Sequence, residues 1–382
     1  MDNLLSTMDA PSLERLAEYS AGFATDFPRS KPARWSAVYL QGLLREGERK
    51  SIGAMARRVD LPPDLPSKTP GQALQQFINQ SRWDEQLLLR HYRAMMLKAF
   101  AVSEGAFVVR DACFPKQGVR SVGVAKQECD HRQKLVNCQI AVSIHYVSRA
   151  ISFPLALHLY LPRSWLENPK RLEDACVPVR ERREMSKEQI ALNLLDRLRA
   201  EGFSGPVVAA EEYGRSGELP RGLDRRGLTY LVGVRPQTVN VSRAALEAAA
   251  TQCRWPALAT VWRDRAPRYD SGRFACLPFA SKEQQRDADD SAAELELLLT
   301  EEQADGKWRF ALSNLSASTD CARAAELWRS LDVAQEDYRL MRAELGLTHF
   351  EGRSWRGFHH HACMVFLAFG FLALERQRRA NP

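Results

Sequence analysis

The chain has 382 residues, 45% hydrophobic and 26% charged, with a formal charge of +7 from 54 basic and 47 acidic side chains. That length predicts two or three folded units, and the composition excludes a disordered, collagen-like or multi-span membrane chain. A modest basic excess permits nucleic-acid binding without requiring it.

The N-terminal stretch MDNLLSTMDAPSLERLAEYS carries acids and lacks a charged-then-apolar pattern, so no export signal is read there and a cytoplasmic location is expected. Residues 1–100 read as helical. SLERLAEYSAGFA and ARWSAVYLQGLL place apolar residues three and four apart. KSIGAMARRVDLPPDL reads as a short helix stopped by Pro62 and Pro63, and residues 70–100 supply two more helices. With Arg49, Lys50, Arg57 and Arg58 between them, these helices fit either a helix-turn-helix-like module or a plain bundle with a basic face.

At Gly105 the pattern changes. AFVVRDACF is β-rich, and NCQIAVSIHYVSRAISFPLALHLYLP holds two or three antiparallel strands. KEQIALNLLDRLRAEGF is an amphipathic helix, followed by the short strands in GPVVAAEEYG and LTYLVGVRP. This order predicts a mixed α/β domain over 101–239. Residues 240–314 look like an insertion, strand-poor at first and strand-like at ELELLLTEE and KWRFALSNL. From 315 to 382 the chain is helical again. The apolar run CMVFLAFGFLALE is too short to span a bilayer and reads as a buried terminal helix, so no membrane association is expected.

The eight cysteines contain no C-x-x-C pair, so reduced, mostly buried thiols are expected. His91, His131, His145 and His158 have no ligand-like spacing. In His359–His361, three adjacent positions spread around a helix and cannot face one metal ion. No resident metal is read from these residues.

Acids at strand ends gather where α/β sheets place their active groups. VVRD ends on Asp111, VVAAEE brings Glu211 and Glu212, and a late helix holds Glu336 and Asp337. Two strand ends and a helix suit two-metal phosphodiester chemistry, which needs hard oxygen ligands.

The blocks FVVRDACFPKQGVRSVGVAKQ, NCQIAVS, FPLALHLYLP, GLTYLVGV and ELGLTHFEGRSWRGFHHHA, collinear over roughly 20–378, resemble the DDE transposases of bacterial insertion sequences. The resemblance implies a ribonuclease H-like mixed sheet flanked by helices, a helical DNA-binding N-terminal region, and a β-containing insertion before the last catalytic helix. It also implies two Mg²⁺ ions held by Asp, Asp and Glu, and a DNA partner commonly engaged as a homodimer.

Carried over one residue at a time, the first Asp is kept as Asp111, with Arg110 replacing the acid before it. Tyr213 and Gly214 anchor the second motif and put Ala210 at its Asp. Counting back from ELGL puts Gln335 at the Glu; matching Trp328 and Arg329 instead puts Leu331 there. The resemblance therefore implies a degenerate triad and a domesticated DNA-binding or regulatory protein. Two other readings stay open. Glu211 and Glu336, each one position late, could substitute and restore Mg²⁺. Alternatively, Arg110, Asp111, Cys113, Glu211, Glu212 and Gln335 could line a pocket for a small substrate, with Cys113 a candidate nucleophile. Candidate DNA contacts are Lys116, Arg120 and Lys126 on the first hairpin, Arg225 and Arg226 in a basic loop, Tyr338 and Arg342 on the late helix, and Arg353, Trp355 and Arg356 after it.

Overall fold

The computed structural model describes residues 10–380 except 64, 66, 101–104, 130–133, 240, 255–270, 280–295, 304 and 317–318. Five helices come first: α1 (Ala10–Gly22), α2 (Ser30–Leu44), α3 (Ile52–Ala56), α4 (Pro70–Asn79) and α5 (Glu85–Phe100). Strands β1 (Ala106–Pro115), β2 (Ala125–Cys129), β3 (Lys134–Val147) and β4 (Ser152–Leu159) follow. Then come α6 (Arg163–Leu166), α7 (Pro169–Asp174), α8 (Lys187–Ala200), β5 (Val207–Ala209), α9 (Glu218–Asp224), β6 (Tyr230–Val234) and α10 (Arg243–Ala249). Strands β7 (Thr251–Arg254), β8 (Ser271–Phe279), β9 (Glu296–Glu302) and β10 (Trp308–Ser313) lead into α11 (Cys321–Ala343) and α12 (Trp355–Ala380).

β1 pairs antiparallel with β3, and β3 pairs antiparallel with both β2 and β4. β5 and β6 run parallel to β1 on its other side. Four antiparallel strands continued by two parallel ones form the mixed sheet that the element order predicts, and the family resemblance implies its ribonuclease H-like class. Local sequence fixes several joints. Ser186 caps α8 through a reciprocal bond with Gln189, so the SKEQ stretch sets that helix start. In the Tyr213–Gly214 turn, a β-carbon on Gly214 would stand 2.0 Å from the Gly233 carbonyl oxygen. Only glycine lets the turn after β5 lie against β6.

Residues 240–314 are not a separate layer. β10 pairs with β6, and β9, β8 and β7 follow in turn, so the described strands of this region extend the central sheet. Sequence reading missed β7 and β8, because SGRFACLPF breaks its apolar run with Gly, Arg and Pro. Residues 255–270 and 280–295 lie outside the described residues.

The N-terminal helices share one core with the sheet. Leu43, Phe77, Leu88 and Tyr92 belong to the same packed cluster as Phe107, Phe153 and the α12 residues Met364–Phe369. The boundary placed near residue 100 therefore crosses a continuous core. Of the basic groups expected on a DNA-facing module, Lys50 and Arg58 are tied inward, whereas Arg49 and Arg57 stay exposed. Lys50 is buried with its ammonium on the Arg45 carbonyl, Arg58 donates to the Glu46 and Arg49 carbonyls, and Arg49 pairs with Glu351. Burial, followed by the Arg58 charge, lowers the Lys50 pKa to about 8.

α12 corrects the length estimated from sequence. Residues Trp355–Arg379 are long and apolar enough to cross a bilayer, yet 94% of the most apolar window is buried in the protein. The three histidines bolt this helix to its neighbours. His359 Nε2 accepts from the Leu159 N–H of β4 at 3.4 Å, His360 reaches the Ile78 and Trp83 carbonyls, and His361 bridges the Tyr39 hydroxyl at 2.8 Å and the Gly346 carbonyl at 3.0 Å. Burial drives the His360 pKa down to about 3 and that of His361 to about 4.

Replacing His361 with Leu strands the buried Tyr39 hydroxyl and Gly346 carbonyl. It should cost about 2–4 kcal/mol in chemical denaturation. Adding Tyr39→Phe should recover part of that, and a loss under about 0.5 kcal/mol would contradict the bolt.

Candidate functional site

Successive residues of β1 point to opposite faces of the sheet. On one face Asp111 meets α8 and the turn after β5. Its Oδ1 accepts from the Tyr213 hydroxyl at 2.9 Å, and its Oδ2 pairs with the Lys187 ammonium at the start of α8. The Asp111 backbone N–H donates to Glu212 Oε1 at 3.2 Å. Burial raises the Asp111 pKa, Lys187 pulls it back, and nearby Glu212 raises it again, leaving about 6. Burial opposes the Lys187 charge, but Asp111 more than offsets this and holds the ammonium above its usual range.

The opposite face packs on α11. Val108, Val208, Ala210 and Leu231 form one cluster with Ala324, Trp328, Leu331 and Ala334. Two residues beyond Val108, the side chain on this face is Arg110. It is 6% exposed, and among the described residues no carboxylate pairs with it. Beside it His145 is fully buried, with both ring nitrogens unbonded. Burial, then the Arg110 charge, pushes that imidazole down to about 3.

Asp337 on α11 is also fully buried. Neither carboxylate oxygen has a well-formed hydrogen bond. Burial raises its pKa to about 7, helped by Glu336 and opposed by the nearby Ser152 hydroxyl and Arg376.

A family profile described as DDE superfamily endonuclease matches residues 22–266, which include β1, β5, β6 and the turn holding Tyr213. The chain belongs to this family. It is also 24% identical over 228 residues to a protein of Microchaete diplosiphon described as "Probable transposase for insertion sequence element IS701". That match takes in 59% of this chain and 55% of the relative, so the chain spans about half of the relative's length. Among solved structures, a piggyBac transposase synaptic complex with hairpin DNA superposes with a TM-score of 0.39 and 9% identity, over 93% of this chain and 73% of that one. At that level the superposition fixes no residue correspondence.

In this DDE family member the candidate acids do not converge. Asp111 serves Lys187 and Tyr213, Glu211 pairs with Arg235 at 3.3 Å, and Glu336 pairs with Arg339 at 2.7 Å. Ala210 is buried against the α11 cluster, whereas Gln335 is exposed. Divalent ions need several hard oxygens facing one space. The residues present do not fit a Mg²⁺ pair: Arg110 occupies the α11 side of β1, and Asp111, Glu211 and Glu336 are each held by a cation. Among the described residues, the potential ligands that do converge are three cysteines.

Cys113 corrects the expectation of reduced thiols. It is buried and joined to Cys129 in a disulfide, which removes it as a nucleophile in this state. The pocket imagined around Arg110, Asp111, Cys113 and Gln335 is likewise divided, because the sheet separates Arg110 from Asp111.

Several candidate DNA contacts are committed to packing. The Tyr338 hydroxyl is buried on the Cys113 carbonyl, and Trp355 is buried against His158 and His359. The Arg342 guanidinium lies over the Tyr338 ring at 5.8 Å, Lys116 donates to the Phe350 carbonyl, and Arg226 pairs with Asp196. Arg120, Lys126, Arg225 and Arg353 are exposed, and Arg356 is half-buried. His131 lies outside the described residues. Sequence reading missed Lys187, Arg235 and the buried role of Asp337. Nothing in their spacing marks them, because their partners lie far away in the chain.

Between about pH 4 and 7 the folded chain holds a proton on Asp337 that the unfolded chain releases, so this group weakens the fold as pH rises. Asp337→Asn should therefore stabilise by on the order of 2–4 kcal/mol at pH 8 and by little at pH 4. Equal shifts in thermal midpoint at both pH values would refute this.

Proposed function

We propose that this DDE family member binds DNA and does not cut it, acting as a domesticated DNA-binding or regulatory protein. The observation that carries the reading is the side chain β1 offers to α11. That side chain is the cation Arg110, with Ala210 beside it on β5's end and no carboxylate between them. A cation there opposes metal binding, and Asp111, Glu211 and Glu336 are paired with Lys187, Arg235 and Arg339 respectively.

DNA contact falls to the exposed basic groups. Arg120 lies in the connection after β1, Lys126 on β2, Arg225 follows α9, and Arg353 precedes α12. Their charges, within a net +7, recognise phosphates by releasing counterions.

A mobility shift with DNA flanking the protein's own coding sequence, at two salt concentrations, tests this. Retention that weakens steeply with salt is expected. Arg120→Ala and Lys126→Ala should each lower the slope of log affinity against log salt by about 1. The same DNA should stay intact with Mg²⁺ or Mn²⁺. Salt-insensitive or absent binding would overturn the first half, and nicking abolished by Glu211→Ala or Glu336→Ala the second.

One observation favours a second reading. The Asp111 carboxyl, shifted to about 6 between Lys187 and Tyr213, is a perturbed group of the kind found where small molecules are bound or turned over. A compound released on denaturing the purified wild-type chain but not Asp111→Asn would favour that reading over DNA binding.

A further inference from the structure

Cys113, Cys129 and Cys138 come from three strands, β1, β2 and β3. β1 and β2 are not neighbours, since β3 lies between them. Adjacent strands sit about 4.8 Å apart, so next-nearest strands in a flat sheet would be roughly 10 Å apart. Cys113 and Cys129 nevertheless have their Cα atoms 5.8 Å apart. The β2–β3 hairpin therefore curls over the end of β1 and makes a concave corner. All three sulfurs lie within 4.8 Å of one another in that corner, and all three residues are buried. The rest of its wall is apolar, from Ile140 and Val136.

The Cys113–Cys129 disulfide needs only two of these residues and gives no reason for the third. A metal ion does. With metal–sulfur bonds of about 2.3 Å, three thiolates around one ion stand about 3.8–4.0 Å apart. The gaps to Cys138 need to close by no more than about 1 Å, and the two sulfurs freed by reduction need to part by about 2 Å.

We propose that Cys113, Cys129 and Cys138, once the disulfide is reduced, form a trithiolate site for a soft closed-shell cation of the Zn²⁺ class. A dithiol reductant supplies two electrons and two protons, which break the Cys113–Cys129 bond to two thiols, while the reductant closes to its own disulfide. One divalent ion then displaces three protons and leaves a complex of net charge −1. Soft thiolates select such ions over Mg²⁺ or Ca²⁺. The apolar wall disfavours bare thiolates, so the corner alternates between a covalent bond and a bound cation. Both states hold down the hairpin that carries Lys126. The site does not depend on the DNA-binding reading.

The test uses the full chain, reduced and freed of reductant without oxygen, and titrated with Cd²⁺ as a spectroscopic stand-in for Zn²⁺. A saturable thiolate-to-metal ultraviolet band at one ion per chain is expected, with three protons released. Cys138→Ser should weaken binding by more than about tenfold, Cys176→Ser, outside the cluster, should not, and the oxidised chain should take up no ion. If Cys138→Ser fails to fold, Cys129→Ser makes the same comparison. No band in the reduced chain, or equal affinity in wild type and the cluster variant, overturns the proposal.

Discussion

The two-residue repeat of the β-strand decides what this protein places where. Arg110 and Asp111 are adjacent in sequence, but the pleat of β1 sends them to opposite faces of a sheet covered on both sides. Asp111 joins Lys187 and Tyr213 under α8, and Arg110 stands with His145 beneath α11. The rest of the site follows from this separation. A carboxylate that keeps its own cation on one face cannot also serve chemistry on the other.

The α11 face carries its own cost. Arg110, His145, Ser152 and Asp337 are buried there, and each has a polar atom without a hydrogen bond. Such groups are expensive unless they are neutral, and burial pushes both His145 and Asp337 toward their neutral forms. Asp337 lies one position beyond Glu336, which was read from sequence as a possible replacement acid. The helix turns these neighbours about 100° apart. Glu336 faces outward to Arg339 while Asp337 is sealed inside.

The histidine block shows the reverse relation between appearance and role. His359–His361 look like a metal site because they are adjacent, yet adjacency on a helix sends the rings to different neighbours. Each ring meets backbone or hydroxyl groups on a different element, and together they fix α12 within the core. The three cysteines look unremarkable in sequence, at 113, 129 and 138, and the curl of one hairpin brings their sulfurs together.

The sequence by itself determined the order of elements in the mixed α/β domain and the burial of α12, and its family resemblance implied the ribonuclease H-like class. The first two follow from periodicity and capping, which act over a few residues, and the last from the collinear motif blocks. It did not show that 240–314 extends the central sheet, nor that the N-terminal helices share the sheet's core. Only the tertiary structure decided those, together with the Lys187 partner of Asp111, the Arg235 partner of Glu211 and the meeting of three cysteines. The reason is physical. Such contacts join residues tens to hundreds of positions apart, and only the packed fold sets the distances between them.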